Sequence, residues 1–257
     1  MTAKSNLVKS VIKAMDLLEL LNQNGELSIG EINLILGWDK STIHRLLSTL
    51  KEKKYVRQNP ENHKYVTSMK LFEMGNLVVE RLGFRRQCQP YMEELALKTR
   101  ETVNLAIQDG KDIIYIDKIE SSATIKVDLG VGKRLPMYCT GLGKAILAYL
   151  PEDQVDRVLA AEKLIPLTDR TLTSAEEIKQ QLSVIRRTGF SLDDEEYVEG
   201  LVCVAAPIRD GQGGVLAAIS VAVPKYRYDE GENTLKYTYW VPEIARRISD
   251  EVGKAQF

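Results

Sequence analysis

The chain has 257 residues, 44% hydrophobic and 28% charged, with a formal net charge of −1, the balance of a globular protein of one or two domains. No apolar run reaches the ~18 residues of a membrane span, and the N-terminus lacks the charged-then-apolar order of a signal peptide, so no membrane partner is expected. Cys88, Cys139 and Cys203 have no C-x-x-C spacing, which argues against a disulfide framework or a zinc ribbon and for a reducing cytoplasm, and the only histidines are His44 and His63.

From Val8 to Leu21, the apolar residues Val8, Val11, Ile12, Met15, Leu18 and Leu21 recur at steps of three and four. This spacing predicts an amphipathic helix, ended at Gly25. Ser28-Ile29-Gly30-Glu31 is a capping-box sequence and starts a second helix running to about Leu36. Gly37-Trp38-Asp39 forms a break. A third helix, about Lys40 to Lys53, places Ile43, Leu46, Leu47 and Leu50 on one side. Its other side carries Lys40, Ser41, Thr42, His44, Arg45, Ser48 and Lys51. Tyr55–Gln58 and Lys64–Val66 read as short strands around the turn Pro60-Glu61-Asn62-His63. Three helices followed by a hairpin within 70 residues is the plan of a winged helix-turn-helix. The next helix, Ser68 to Leu82, has an apolar stripe of Leu71, Met74, Leu77 and Val78. It reads as a connector whose stripe packs on a second copy of the chain.

From Phe84 the pattern changes. A helix at Gln89–Thr99 precedes β-rich segments at Thr102–Gln108, Ile113–Ile119 and Thr124–Asp128. Gly130–Pro136 reads as a loop. Helices are expected at Gly141–Leu150, Glu152–Ala161 and Ser174–Thr188. Strands follow at Gly189–Leu192, Leu201–Ile208 and Gly214–Val223, the last two joined by a glycine-rich hairpin, and a final helix spans Asn233–Gly253. The expected fold class is α+β, with an antiparallel sheet in the second domain. The domains are placed at 1–67 (winged helix-turn-helix), 68–83 (linker helix) and 84–257 (effector binding and oligomerisation).

Charge divides along the same line. Residues 1–70 carry 11 Lys and Arg against seven Asp and Glu, a net +4, while the remaining 187 carry 24 against 29, a net −5. A basic head on an acidic body fits a nucleic-acid-binding module joined to a non-binding one. A recognition helix needs one apolar face for its own domain and an opposite face of short polar and cationic groups for bases and phosphates. The third helix meets that need. Arg45 suits bidentate pairing with guanine. Lys40, Ser41 and Thr42 suit phosphates near the helix start, with His44 and Ser48 on the same face. In the hairpin, Asn59, Asn62, His63 and Lys64 are candidates to place the wing on the duplex. The competing reading is a merely solvated polar face, or a helix-turn-helix used for protein contacts.

These residues resemble the IclR family of bacterial transcription regulators. Lys40-Ser41-Thr42-Ile43-His44-Arg45-Leu46-Leu47 is similar to the family's recognition helix. Leu135–Ala145, Glu199–Ile208 and Ala217–Val221 resemble segments of its C-terminal half, in the same order. The Lys70–Gly75 connector and the Ile114–Ile119 strand look closest to the 2-keto-3-deoxygluconate regulator branch. The resemblance implies a GAF-like effector domain, homodimers or homotetramers, a double-stranded DNA operator, and a small keto-, sugar- or aromatic-acid effector. It implies a pocket lined by Leu135, Gly141, Leu142, Asp193, Leu201, Cys203 and Ser220, with Asp193 and Ser220 as polar contacts. First-turn N–H groups of Gly141, Leu142 and Gly143 would face the anion. Where other members carry a second serine, this chain has Ala222. The bland alternatives are a solvated acidic loop for Asp193 and an ordinary buried thiol for Cys203.

No enzyme is expected, since residues 84–257 contain no histidine for a Ser/His/Asp or Cys/His set; a carboxylate pair is the alternative left open. Gly141–Ala145 lacks the G-x-x-x-x-G-K-[ST] spacing of a nucleotide loop. No cofactor is expected, and a Cys139/Cys203 metal site lacks a completing ligand.

Overall fold

The computed structural model describes residues 7–123, 130–161, 163–229 and 231–254. It comprises two compact units, Met1–Arg81 and Leu82–Phe257.

In the first unit, α1 (Lys9–Asn24) ends at Gly25, whose φ of 74° a side chain would resist. The capping box forms at the start of α2 (Ile29–Leu36): Ser28 Oγ accepts from the Glu31 N–H, and the Glu31 carboxylate accepts from the Ser28 N–H. With Gly37 left-handed at the end of α2, the chain turns sharply into α3 (Lys40–Glu52). Leu17 and Leu21 of α1, Ile32 of α2 and Ile43 and Leu47 of α3 are fully buried in one core. Strands β1 (Val56–Gln58) and β2 (Tyr65–Thr67) pair antiparallel with Arg57 opposite Val66, and Leu27 bridges to Tyr65. Only the C-terminal half of the α1 stripe is buried here; Val8, Val11, Ile12 and Met15 are exposed. The following helix, α4 (Lys70–Glu80), buries no residue and exposes Phe72, Met74, Leu77 and Val78.

Among the described residues, the second unit is a six-stranded antiparallel sheet flanked by helices. Its strands are β3 (Thr102–Asp109), β4 (Asp112–Ile119), β5 (Arg134–Pro136), β6 (Ser191–Asp194), β7 (Leu201–Arg209) and β8 (Val215–Pro224), in the order β5-β4-β3-β8-β7-β6. The helices are α5 (Arg85–Thr99), α6 (Gly141–Leu147), α7 (Glu152–Ala161), α8 (Ala175–Thr188), α9 (Lys225–Tyr228) and α10 (Asn233–Val252). Side chains alternate across each strand. Val103, Val204 and Val221 lie on the face covered by α5 and α10. Ala106, Ile113, Tyr115, Leu135, Ala205 and Ala218 form the opposite face and share a core with residues of α6, α7 and α8.

Two expectations change. The stretch Gly130–Pro136 is not all loop: Arg134–Pro136 forms β5, because pairing Leu135 with Ile113 buries both. Lys225–Tyr228 forms a short helix that the sequence pattern did not indicate. The strand expected at Thr124–Asp128 lies outside the described residues.

Helix α6 is wholly buried, and two glycines make that possible. A Cβ on Gly141 would lie 3.1 Å from the Cys203 Cβ, and one on Gly143 would lie 2.4 Å from both Cα and O of Met137. Real Cβ atoms do not approach backbone so closely, so Gly143→Ala must push α6 off the Met137 turn. We expect a loss of about 3 kcal/mol, the upper range for overpacking. It should appear in urea unfolding as a lower midpoint at unchanged m-value. An unmoved midpoint would show that the Met137 turn yields freely.

Candidate nucleic-acid interface and ligand site

Helix α3 has two distinct faces. Ile43, Leu47 and Leu50 are buried, whereas Lys40, Ser41, His44, Arg45 and Ser48 are exposed and Thr42 is half-buried. The exposed groups share the side opposite the core, which leaves a cationic and hydroxyl-bearing strip. The hairpin is less free than its sequence implied. Asn59 and Asn62 both donate to the Glu26 carboxylate. Lys64 Nζ lies 2.8 Å from Glu31 Oε1, an ion pair that, with the capping bonds from Ser28, holds the Glu31 carboxyl down at about 2. His63 occupies the turn with φ 55° and stays exposed. Arg57 on β1 is also exposed, as are Lys53 and Lys54 beyond α3. The sequence reading passed over these three, although their charge and adjacency to the hairpin were visible.

The second constellation lies across the sheet. Direct register partners share a face, so the pairs define rows. One row runs Ser191, Ala205, Ser220, Asn104, Lys118, from β6 through β7, β8 and β3 to β4. The adjoining row runs Asp193, Cys203, Ala222, Thr102. Leu201, Cys203 and Ala222 form a small buried cluster of their own. Gly141 stands against Cys203 and Ala205, so the start of α6 faces these rows. Asp193, Leu201, Cys203, Ser220, Gly141 and Leu142 are thus gathered beside the β6–β8 end. Leu135 sits on the opposite edge strand and meets Leu142 only through their shared core. Of the three expected first-turn donors, Gly143 N–H is already taken by Thr140 Oγ1 at 3.2 Å.

The rows are flanked by buried charge. Lys144 is fully buried, donates to Leu192 O at 2.9 Å and pairs with the Glu196 carboxylate. The Glu196 N–H donates to Asp193 Oδ1 at 2.8 Å. The sequence reading missed this pair; a single charge inside the otherwise apolar run of α6 was its signal. Burial raises the Asp193 carboxyl to about 7; the Lys144 ammonium opposes that rise, and the Glu196 carboxylate adds to it. Burial likewise lifts the Cys139 thiol to about 12 and Cys203 well above its ordinary value, so neither is a thiolate at neutral pH. The Oγ of Ser220 and the Oδ1 of Asn104 are buried with no hydrogen-bond partner among the described residues. Each such orphan costs roughly 1–3 kcal/mol. Among the described residues, no group of three or more His, Cys, Asp or Glu side chains could hold a metal ion, and no helix is long and apolar enough to cross a membrane.

Residues 10–60 match the IclR helix-turn-helix domain model, and residues 76–250 match the bacterial transcriptional regulator IclR C-terminal model. The chain belongs to the IclR family. This regulator is 35% identical over 246 residues, 96% of its length, to the transcriptional regulator KdgR of Dickeya chrysanthemi and to that of Escherichia coli K12, covering 80% and 93% of those proteins. Its fold matches the crystal structure of the Thermotoga maritima IclR with a TM-score of 0.82 at 31% identity, over 95% of this chain and 99% of that one. It is a transcription regulator of the KdgR branch, with a helix-turn-helix for DNA and a C-terminal domain for a ligand.

The Asp193 proton gives a test of the electrostatics beside these rows. The unfolded chain releases it near about 3.9, whereas the folded chain holds it to about 7. Between those values the folded state binds the extra proton, so this residue makes stability fall as pH rises. Asp193→Asn should flatten that part of the urea-midpoint profile between pH 4 and 7. A slope identical to the parent's would show that Asp193 ionises freely.

Proposed function

We propose that this regulator is a repressor-type DNA-binding protein that acts as a homodimer or a pair of homodimers. A small organic acid bound in the second unit sets its affinity for a duplex operator. The observation that carries the DNA half is the division of α3 into a buried apolar face and an exposed face of Lys40, Ser41, His44, Arg45 and Ser48. An α-helix fits the major groove with such a strip against base edges and phosphates. Arg45 is assigned to a base; Lys40, Ser41 and Thr42, near the helix start, to phosphates. His44 and Ser48 extend the strip. In the wing, His63 is the accessible contact, while Lys64 must leave Glu31 to reach a phosphate.

The unpaired apolar residues of α1 and α4 support self-association. A helix that exposes Phe72, Met74, Leu77 and Val78 buries them favourably only against another surface. A symmetric partner supplies the same stripe, and half-sites one helical turn apart then fix the spacing of the two recognition helices.

For the effector, Asp193 and Ser220 are assigned as polar contacts, Gly141 and Leu142 as backbone donors in the first turn of α6, and Leu135, Leu201 and Cys203 as apolar lining. An Asp193 carboxyl still half protonated near neutrality donates to a carboxylate that an ionised one would repel. Keto acids, sugar acids and aromatic acids fit this chemistry. Control requires the acid to prefer one of two conformations of the dimer, and α4, which follows the DNA-binding domain in the chain, is the element assigned to carry the change.

The DNA reading is tested with an operator selected from random duplexes by the full chain. Arg45→Ala should weaken that site about tenfold or more while changing random-duplex binding little. Affinity should also fall steeply from 50 to 200 mM salt. Equal loss on both duplexes would make Arg45 a phosphate contact. Salt-independent binding would refute the interface.

A further inference from the structure

We propose that Asn104, which the family resemblance does not assign, is a specificity-determining contact of the ligand site, and that with Ser220 it receives a hydroxyl of the effector. The inference rests on the ligand-site reading above and goes beyond it by naming a residue and a ligand class.

Asn104 and Ser220 are direct register partners on β3 and β8, in the middle of the six-stranded sheet. They are only 1% and 0% exposed. Paired residues in an antiparallel ladder have Cβ atoms ~5 Å apart, so the two side chains stand together on one face. Their neighbours along the row are Ala205 and Lys118. Ala205 on β7 and Ala222 two residues along β8 carry single methyl groups, and the backbone of α6 at Gly141 stands over Ala205. Both Ser220 Oγ and Asn104 Oδ1 lack a partner among the described residues. Buried polar atoms in native proteins are paired with protein or ordered water, and two such atoms side by side mark a place for one group, a water or a ligand hydroxyl, that serves both.

The chemistry of that group follows from the two atoms. A carboxamide oxygen only accepts, so the group must donate; a carboxylate cannot do this. An ammonium donates to both oxygens but accepts nothing, so it leaves the Ser220 O–H without an acceptor. A hydroxyl donates to Asn104 and accepts from Ser220 in one position. Asp193 lies two strands from Ser220 and one row along, which at ~4.8 Å between strands and ~6.8 Å per two residues separates their Cα atoms by roughly 12 Å. Side chains close part of that distance. A ligand that reaches both ends therefore carries its hydroxyl several atoms from its carboxylate. Two- and three-carbon keto acids are too short and have no hydroxyl.

The test uses the full chain and matched pairs of acids, with binding read by calorimetry and by the ligand-induced rise in melting temperature. D-gluconate is set against hexanoate, and 4-hydroxybenzoate against benzoate. Within at least one pair the hydroxylated member should bind tenfold tighter or more, because a site that hydrogen-bonds a hydroxyl discriminates strongly against its absence. Asn104→Leu, close in volume, should erase that preference. Its ligand-free melting temperature should stay level or rise, since the variant removes an unpaired polar atom. A purely structural role for Asn104 predicts a lower melting temperature and an unchanged preference, and would overturn the proposal. Asn104→Ala, read the same way, covers poor folding of the leucine variant. Binding that depends on Ser220 but is indifferent to Asn104 and to the hydroxyl would overturn this inference alone. Binding of none of the four acids would overturn the ligand-site reading and the inference with it.

Discussion

Helix α6 packs closely on β7 through Gly141, with the small Cys203 and Ala205 side chains at the contact, and the arrangement of buried charge beside the sheet follows from it. Gly141 permits the approach to Cys203, and Gly143 permits the approach to Met137. Bringing α6 down places Lys144 where only buried polar groups can satisfy it, and the Leu192 carbonyl and the Glu196 carboxylate do so. Removing one partner of such a buried pair costs about 3–5 kcal/mol, because the other charge is left in a medium that solvates it poorly. Glu196 in turn donates its N–H to Asp193, so the segment after β6 is tied to the helix and the Asp193 carboxyl is kept out of water. A close backbone contact thus ends as an altered acidity at the edge of the polar rows.

The first unit solves a different problem. Its small core must be supplied by three short helices and a hairpin, and α3 gives that core Ile43, Leu47 and Leu50 while keeping its other side free. The capping box at Ser28 and Glu31 and the left-handed Gly37 fix where α2 begins and ends, and hence the sharp turn into α3. Glu31 also holds Lys64, and Glu26 holds Asn59 and Asn62, so the hairpin is fastened to the helical part by polar bonds. Exposed arginine and lysine on one side with a fully buried opposite side are what a DNA-reading helix requires.

Much of this is legible in the sequence where periodicity is strong. The steps of three and four in α1 and α3, and the S-x-x-E cap of α2, specify the head almost residue by residue. Legibility fails where the deciding partner is distant in the chain. Leu135 becomes a strand residue only because Ile113 lies beside it, and a three-residue strand has no period of its own. Lys144 reads as a helix-surface lysine until Glu196, fifty-two positions on, is seen to face it. Asn104 carries a local sign, since polar Thr102 and Asn104 alternate with Val103 and Leu105, but only the register with Ser220 gives it a neighbour. The family resemblance groups Leu135 with Asp193, Cys203 and Ser220, and only the strand order shows that Leu135 stands on the opposite edge strand.

In the proposed mechanism, acid binding in the second unit and duplex binding by α3 are coupled. Measuring one affinity in the presence of the other ligand reads that coupling. With an acid that binds the full chain, the dissociation constant for the selected operator should change by a factor of about 5–150 at saturation. Saturating operator should change the dissociation constant for the acid by the same factor, as linkage demands. An acid that binds tightly at Asp193 and Ser220 yet leaves the operator affinity unchanged would rule out the coupling.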